Sequence, residues 1–180
     1  MPKNHTERAE NSKELMVESL FILMKKKKFK SISVSDIAQK AGIDRRTFYR
    51  HFVSKEDIIR YKIKNMSKDY EKVILLHNNF NRQKAVLFSF FSVCEREKES
   101  LLCLYRSDLL PLFLKEFESL FEMHYIKNKK FEITNESVEI KYLLAYHIGG
   151  YWNALNKWLS EGAEKSPDEI STILLGSLPK

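Results

Sequence analysis

The chain has 180 residues, 43% of them hydrophobic, enough for a real core but not for two large independent domains. Five glycines and four prolines are too few to punctuate many short strands, and the Leu-, Glu- and Lys-rich stretches between them favour an all-α fold. The net charge of +7 is uneven: residues 1–78 hold 18 Lys and Arg against 10 Asp and Glu, the remainder 13 against 14, so a positive field is confined to the first part, as a surface that neutralises phosphates requires.

Nucleic acid is therefore the first partner class to consider and anionic membrane the second. No apolar run approaches the roughly 20 residues that span a bilayer. The opening MPKNHTERAENSKE is too polar for the apolar region of a signal peptide, so the expectation is a cytoplasmic protein with no membrane partner.

Leu15, Met16, Leu20, Phe21, Leu23 and Met24 recur at helical spacing and predict a first helix from Thr6 to about Lys27. Lys25 to Lys28, with Lys30, close it, where cations suit the partial negative charge of a helix carboxyl end. Ser33 and Asp36 form a capping-box-like start for a second helix through Ile37, Ala38 and Ala41. Gly42 follows where a helix end favours positive φ. Asp44 is a good N-cap for a third helix, Arg45 to about Phe52, with Phe48 and Phe52 inward and Arg45, Arg46, Thr47, Tyr49 and Arg50 outward. Two short helices joined by a tight turn, the second one basic on its outer face, make a helix-turn-helix over about residues 33–52, suited to a DNA major groove.

Ser54 to Asp57 repeats the capping pattern and opens a long helix, Lys55 to about His77. Asn78, Asn79 and Asn81 interrupt it. Two helices follow, Ala85 to Glu95 and Ser100 to Leu110, divided by the charged Glu95 to Glu99 segment; Pro111 starts or kinks another reaching about Lys127. Asn128 to Asn135 reads as a loop before a helix from about Glu136 to Ser160, which Gly162 ends. Ser166, Pro167 and Glu169 mark the start of a last helix through Ile170, Ile173, Leu174 and Leu175.

The string SISVSDIAQKAGIDRRTFYRHFVSKEDII resembles the DNA-binding region of the TetR family of bacterial regulators, over about the first 60 residues. The resemblance implies a three-helix DNA-binding head (residues 1–54) and a helical bundle (residues 55–180) that dimerises and takes an effector, with the fourth helix transmitting between them. It implies phosphate or base-edge contacts from Thr47, Tyr49 and His51, a phosphate-binding Lys55, and structural roles for Phe48 and Phe52. Where the family often has a small residue, this chain has Arg46, so no known operator is transferable. Arg45 and Arg46 sit in the first turn of the recognition helix, where bidentate bonding to guanine O6 and N7 is geometrically possible. The expected double-stranded DNA contact set is Ser33, Val34, Arg45, Arg46, Thr47, Tyr49, Arg50, His51 and Lys55.

Tyr142 to Glu169 is also similar to the C-terminal domain of TetR-type regulators related to dihydroxyacetone kinase control, a group in which a protein coactivator can replace a small-molecule effector. Among the bundle aromatics, Phe91, Tyr105, Phe117, Phe121, Tyr142 and Tyr146 are the candidate effector-binding set, with ordinary core as the competing reading. Gly149 and Gly150 inside a helix each cost about 1 kcal/mol against alanine, which points to close packing between subunits or to a kink. With Trp152, Leu155, Trp158, Ile170, Ile173 and Leu174 they form the expected homodimer interface.

Cys94 and Cys103 lack metal or redox spacing and read as reduced core residues, and His124 and His147 lack companions for a metal site. Neither a cofactor nor an enzymatic activity is expected, because no nucleophile triad, phosphate loop or metalloprotease motif occurs. The composite expectation is a dimeric regulator, by default a repressor. The alternatives are an activator with a protein coactivator, or an anionic-lipid or RNA-binding module.

Overall fold

Four helix starts are set by side-chain caps expected from sequence, and all four are formed in the computed structural model, which describes residues 3–76, 82–127 and 138–176. Among these residues there are α-helices and one 3-10 turn, with no strand. The helices are α1 (Lys3–Met24), α2 (Val34–Ala41), α3 (Arg45–His51), α4 (Lys55–Leu76), α5 (Arg82–Arg96), α6 (Lys98–Arg106), α7 (Leu110–Lys127), α8 (Val138–Ser160) and α9 (Pro167–Gly176). The 3-10 turn, Phe29–Ser31, lies between α1 and α2. The expected interruption at Asn78 to Asn81 and the loop at 128–135 fall outside the described residues.

Several helix bounds differ from the sequence expectation: α5 starts at Arg82, ahead of Ala85, and α6 ends at Arg106, short of Leu110. The first helix starts at Lys3, ahead of Thr6. The break between α5 and α6 shrinks to Glu97, because Glu97 N–H still donates to Val93 and Leu101 N–H to the Glu97 carbonyl, so helical bonding resumes at once.

The chain divides into two compact units, residues 1–65 and 66–180. The division thus falls inside α4. The first three turns of α4 belong to the head for a visible reason: Ile58, Ile59 and Ile63 are fully buried, and the Tyr61 ring meets Phe52 edge-on at 5.7 Å. The Tyr61 hydroxyl lies 2.9 Å from carboxylate oxygens of both Glu10 and Glu14 on α1. Met16, Leu20, Ile37 and Phe48, all at 0% exposure, complete that core.

In the second unit, α5 packs chiefly against α9, and α8 against α6 and α7. Phe91, Phe113, Phe117 and Leu155 are buried at its centre, with the Phe113 and Phe117 rings stacked at 4.2 Å. The α8–α9 connection is locked locally. Gly162 and Ala163 both adopt left-handed φ, 79° and 56°, Ala163 N–H donates to the Trp158 carbonyl at 2.8 Å, and Trp158 Nε1 donates to the Lys165 carbonyl at 2.8 Å. Among the described residues no helix is long and apolar enough to cross a membrane.

Candidate nucleic-acid interface

The recognition unit is built from its caps outward. Ser33 Oγ accepts from Asp36 N–H at 3.1 Å while Asp36 Oδ2 accepts from Ser33 N–H at 2.9 Å, a reciprocal capping box at the start of α2. These bonds, the backbone one first, hold the Asp36 carboxyl below its ordinary value. At the other end Gly42 takes φ 67°, and Ile43 N–H reaches back to the Ala38 carbonyl at 3.0 Å, which turns the chain sharply into α3. Asp44 caps α3: its Oδ1 accepts from Thr47 N–H at 2.6 Å and its Oδ2 from the Thr47 hydroxyl at 3.2 Å. The Thr47 backbone bond is the main reason the Asp44 carboxyl is also lowered.

With both ends fixed, α3 has a defined inside and outside. Phe48 is fully buried, whereas its neighbour Tyr49 is 52% exposed. Arg45, Arg46 and Arg50 are exposed, and Arg50 Nη2 donates to Thr47 Oγ1 at 3.2 Å. A helix of this diameter with three guanidinium groups and a phenol on its outer face can enter a major groove and present donors to guanine edges and phosphates.

The other expected contact residues are placed as follows. Ser33 is exposed and Val34 half-buried at the start of α2, but the Ser33 hydroxyl is already committed to Asp36. Thr47 is half-buried, its hydroxyl shared between Asp44 and Arg50. His51 is half-buried, and its imidazole pKa is lowered, first by burial and then by the nearby Arg50 and Lys13 charges, so the neutral ring is favoured. Lys55 does not reach outward: its Nζ donates to the carbonyls of Phe29 at 2.7 Å, Ile32 at 2.8 Å and Lys30 at 3.3 Å.

Two features of the head escaped sequence reasoning. Lys27 Nζ lies 3.3 Å from Asp36 Oδ1, tying the lysine run to the capping box. The Lys55 carbonyl clamp spans more than 20 residues of sequence, and no local pattern announces it.

In the bundle, the described members of the expected effector set are not gathered around one space. Tyr142 and Tyr146 are 74% and 67% exposed, while Phe91 and Phe117 are fully buried. The Phe91 ring is spent on Trp158, 6.1 Å away. Tyr105 is half-buried on α6, and the side chain of Phe121 lies outside the described residues. The cavity bounded by Phe90, Phe113, Phe117, Tyr151, Trp152 and Leu155 measures about 10 Å³, room for about one water and not for an effector. These aromatics pack against one another because their rings, 4.2 to 5.9 Å apart along Phe113, Phe117 and Tyr70, fill the space themselves.

The expected dimer set also separates. Leu155, Trp158 and Ile170 are buried within their own chain, whereas Ile173 is 54% exposed. Trp152 and Leu174 are half-buried, as is Gly149, and Gly150 is exposed. A Cβ built on Gly149 or Gly150 would meet nothing within 4 Å, so packing within the described chain does not require these glycines. Among the described residues no group of three or more His, Cys, Asp or Glu is placed to share a metal ion.

Residues 21–61 match the model of the bacterial regulatory proteins of the tetR family. No curated protein matches the chain by sequence. Solved structures match it along its length. A TetR transcriptional regulator from Streptococcus agalactiae shows 17% identity, full coverage of both chains and a TM-score of 0.66. The dihydroxyacetone kinase operon activator DhaS shows 19% identity over 92% of each chain, with a TM-score of 0.61. The fatty acid degradation regulator FadR from Bacillus halodurans shows 15% identity over 93% of this chain and 96% of its own, with a TM-score of 0.61. The chain therefore carries a DNA-binding domain of the tetR family of bacterial regulatory proteins, at residues 21–61, in an all-helical fold shared with such regulators.

Proposed function

We propose that this protein is a sequence-specific transcriptional regulator that works in the cytoplasm as a homodimer on double-stranded DNA, and not as an enzyme. The observation that carries the reading is α3: a helix capped by Asp44, anchored by buried Phe48, and presenting Arg45, Arg46, Tyr49 and Arg50 to solvent. Arg45 and Arg46 are the base readers. Tyr49, Arg50 and the start of α2 at Ser33 and Val34 are the phosphate-side contacts, with Thr47 adjusting through small movements of its present bonds and His51 turning its half-buried ring outward.

Pairing of two copies is assigned to the outer face of α8 and α9, where Tyr142, Tyr146, Gly150 and Ile173 are exposed. The unfilled space over Gly149 and Gly150 supports approach by a second backbone there. Leu155, Trp158 and Ile170 support that face from within the core. Two recognition helices held about 34–36 Å apart would read a rough palindrome. An effector or partner protein acting through α4 would change that spacing.

Repression by excluding polymerase is the simplest outcome of such binding. Activation is the second reading, favoured by the shared fold with DhaS, which is named as an operon activator.

Competition tests the partner class: an excess of duplex DNA should displace labelled duplex, whereas RNA or anionic vesicles in equal phosphate should not. Displacement by RNA or vesicles as effective as by DNA overturns the reading. Sedimentation tests the pairing: Gly150→Leu should shift a dimer toward monomer, and a wild-type monomer at micromolar concentration with and without DNA would refute the paired geometry.

A further inference from the structure

The turn between α1 and α2 is short, and its backbone is gathered by one side chain. Ser31 N–H donates to the Lys28 carbonyl at 2.9 Å and Ile32 N–H to the Phe29 carbonyl at 3.1 Å. Phe29 and Ile32 are buried at 6% and 2% exposure and pin the turn to the core. From the start of α4, the Lys55 ammonium meets three carbonyls of this turn, those of Phe29, Lys30 and Ile32. It also lies 4.5 Å from the centre of the Phe29 ring. An ammonium has three N–H donors and no more, so each is matched by an oxygen of the protein. Turning outward to a phosphate would strip part-buried carbonyls of their donor.

Lys28 and Lys30 flank the same turn and are exposed, and their ammonium groups have no ion-pair partner among the described residues. Lys27, one residue earlier, is held to Asp36. Ser33, the N-cap of α2, follows Lys30 by three residues, so the turn that Lys55 gathers also fixes where α2 begins.

We propose that Lys55 is a positioning residue that holds the Phe29–Ile32 turn, and that Lys28 and Lys30 make the DNA backbone-phosphate contacts at this edge of the head. The proposal rests on the reading that the head binds double-stranded DNA. It assigns the counterion release at this edge to the turn lysines and gives Lys55 its effect through the backbone it organises.

The experiment is a binding titration across salt concentrations with a duplex isolated by selection from a random-sequence pool. Each phosphate contact contributes about 0.9 to the slope of log K against log salt. Lys28→Ala with Lys30→Ala should lower the slope by about 1 to 2. Lys55→Met should weaken binding about tenfold or more at every salt concentration with the slope unchanged, and amide exchange at Ser31 and Ile32 in the free protein should quicken. A Lys55→Met slope lower by about 0.9 with unaltered exchange at Ser31 and Ile32 would overturn the proposal. An unchanged slope in the Lys28, Lys30 double variant would overturn it equally, and that surface variant decides the matter even if Lys55→Met does not fold. Absence of any salt-dependent duplex binding by the wild type would instead sink the DNA-binding reading itself.

Discussion

The head and the bundle use aromatic residues in opposite ways. In the head, Phe48 and Tyr49 are consecutive, yet one is fully buried and the other more than half exposed, because capped α3 is too short and too firmly anchored to present more than one inner face. In the bundle, long helices offer aromatics on several faces, and Phe90 alone meets Phe91, Phe113, Phe117 and Tyr151. Chemistry is therefore confined to an outer stripe in the head, whereas most of the described bundle aromatics are spent on core. Where a helix has one inner face, periodicity assigns the role of a side chain; where aromatics lie on several faces, periodicity only says that the side chain is packed.

The sharpest test of that contrast is the adjacent pair on α3. Phe48→Ala should destabilise the head by about 3–5 kcal/mol, comparable with the whole stability of a small domain, and abolish DNA binding. Tyr49→Ala should leave stability within about 0.5 kcal/mol and weaken only binding; thermal melts and titrations read the two separately, and equal stability losses would erase the distinction. In the bundle, Trp158→Phe should cost about 1–2 kcal/mol, read as a drop in melting temperature, because Nε1 loses its bond to the Lys165 carbonyl and leaves that acceptor unmatched.

Acid acts on both units more gently. The capping carboxyls of Asp36 and Asp44 are lowered from 3.8 and that of Glu169 from 4.5, each by its backbone hydrogen bond first. A carboxyl lowered on folding binds fewer protons folded than unfolded, so its stabilisation is fully present above the ordinary value and is lost as pH falls through the lowered folded value. Residue-resolved hydrogen exchange between pH 5 and pH 3 should therefore show the starts of α2, α3 and α9 loosening as pH falls; starts unchanged over that range would contradict it. The smallest effect is expected at Asp108, an exposed residue at φ 57°. Asp108→Gly should raise stability by at most about 1 kcal/mol by relieving left-handed strain.

The head was legible because its signals are short-range. Ser33 with Asp36, Gly42 and Asp44 are each local codes, and each forms the bond its position implies. The direction of Lys55 was not legible, since its carbonyl partners lie on another element. The bundle resisted for the same reason. Whether Trp158 faces a subunit or its own core depends on Phe91 and Lys165, and its position on α8 carries no trace of either. A Cβ on Gly149 or Gly150 would meet nothing within 4 Å, so contacts within the described chain account for neither glycine.

Sequence preference at α3 is the central claim, and parallel selection of bound fragments from genomic DNA with the wild type and an Arg45→Ala, Arg46→Ala variant tests it most directly. The wild type should enrich a rough palindrome whose half-site centres lie about one helical turn apart, and the variant should keep salt-dependent duplex binding while losing the enrichment. Identical enrichment by both proteins, or no enriched sequence with the wild type, would contradict it.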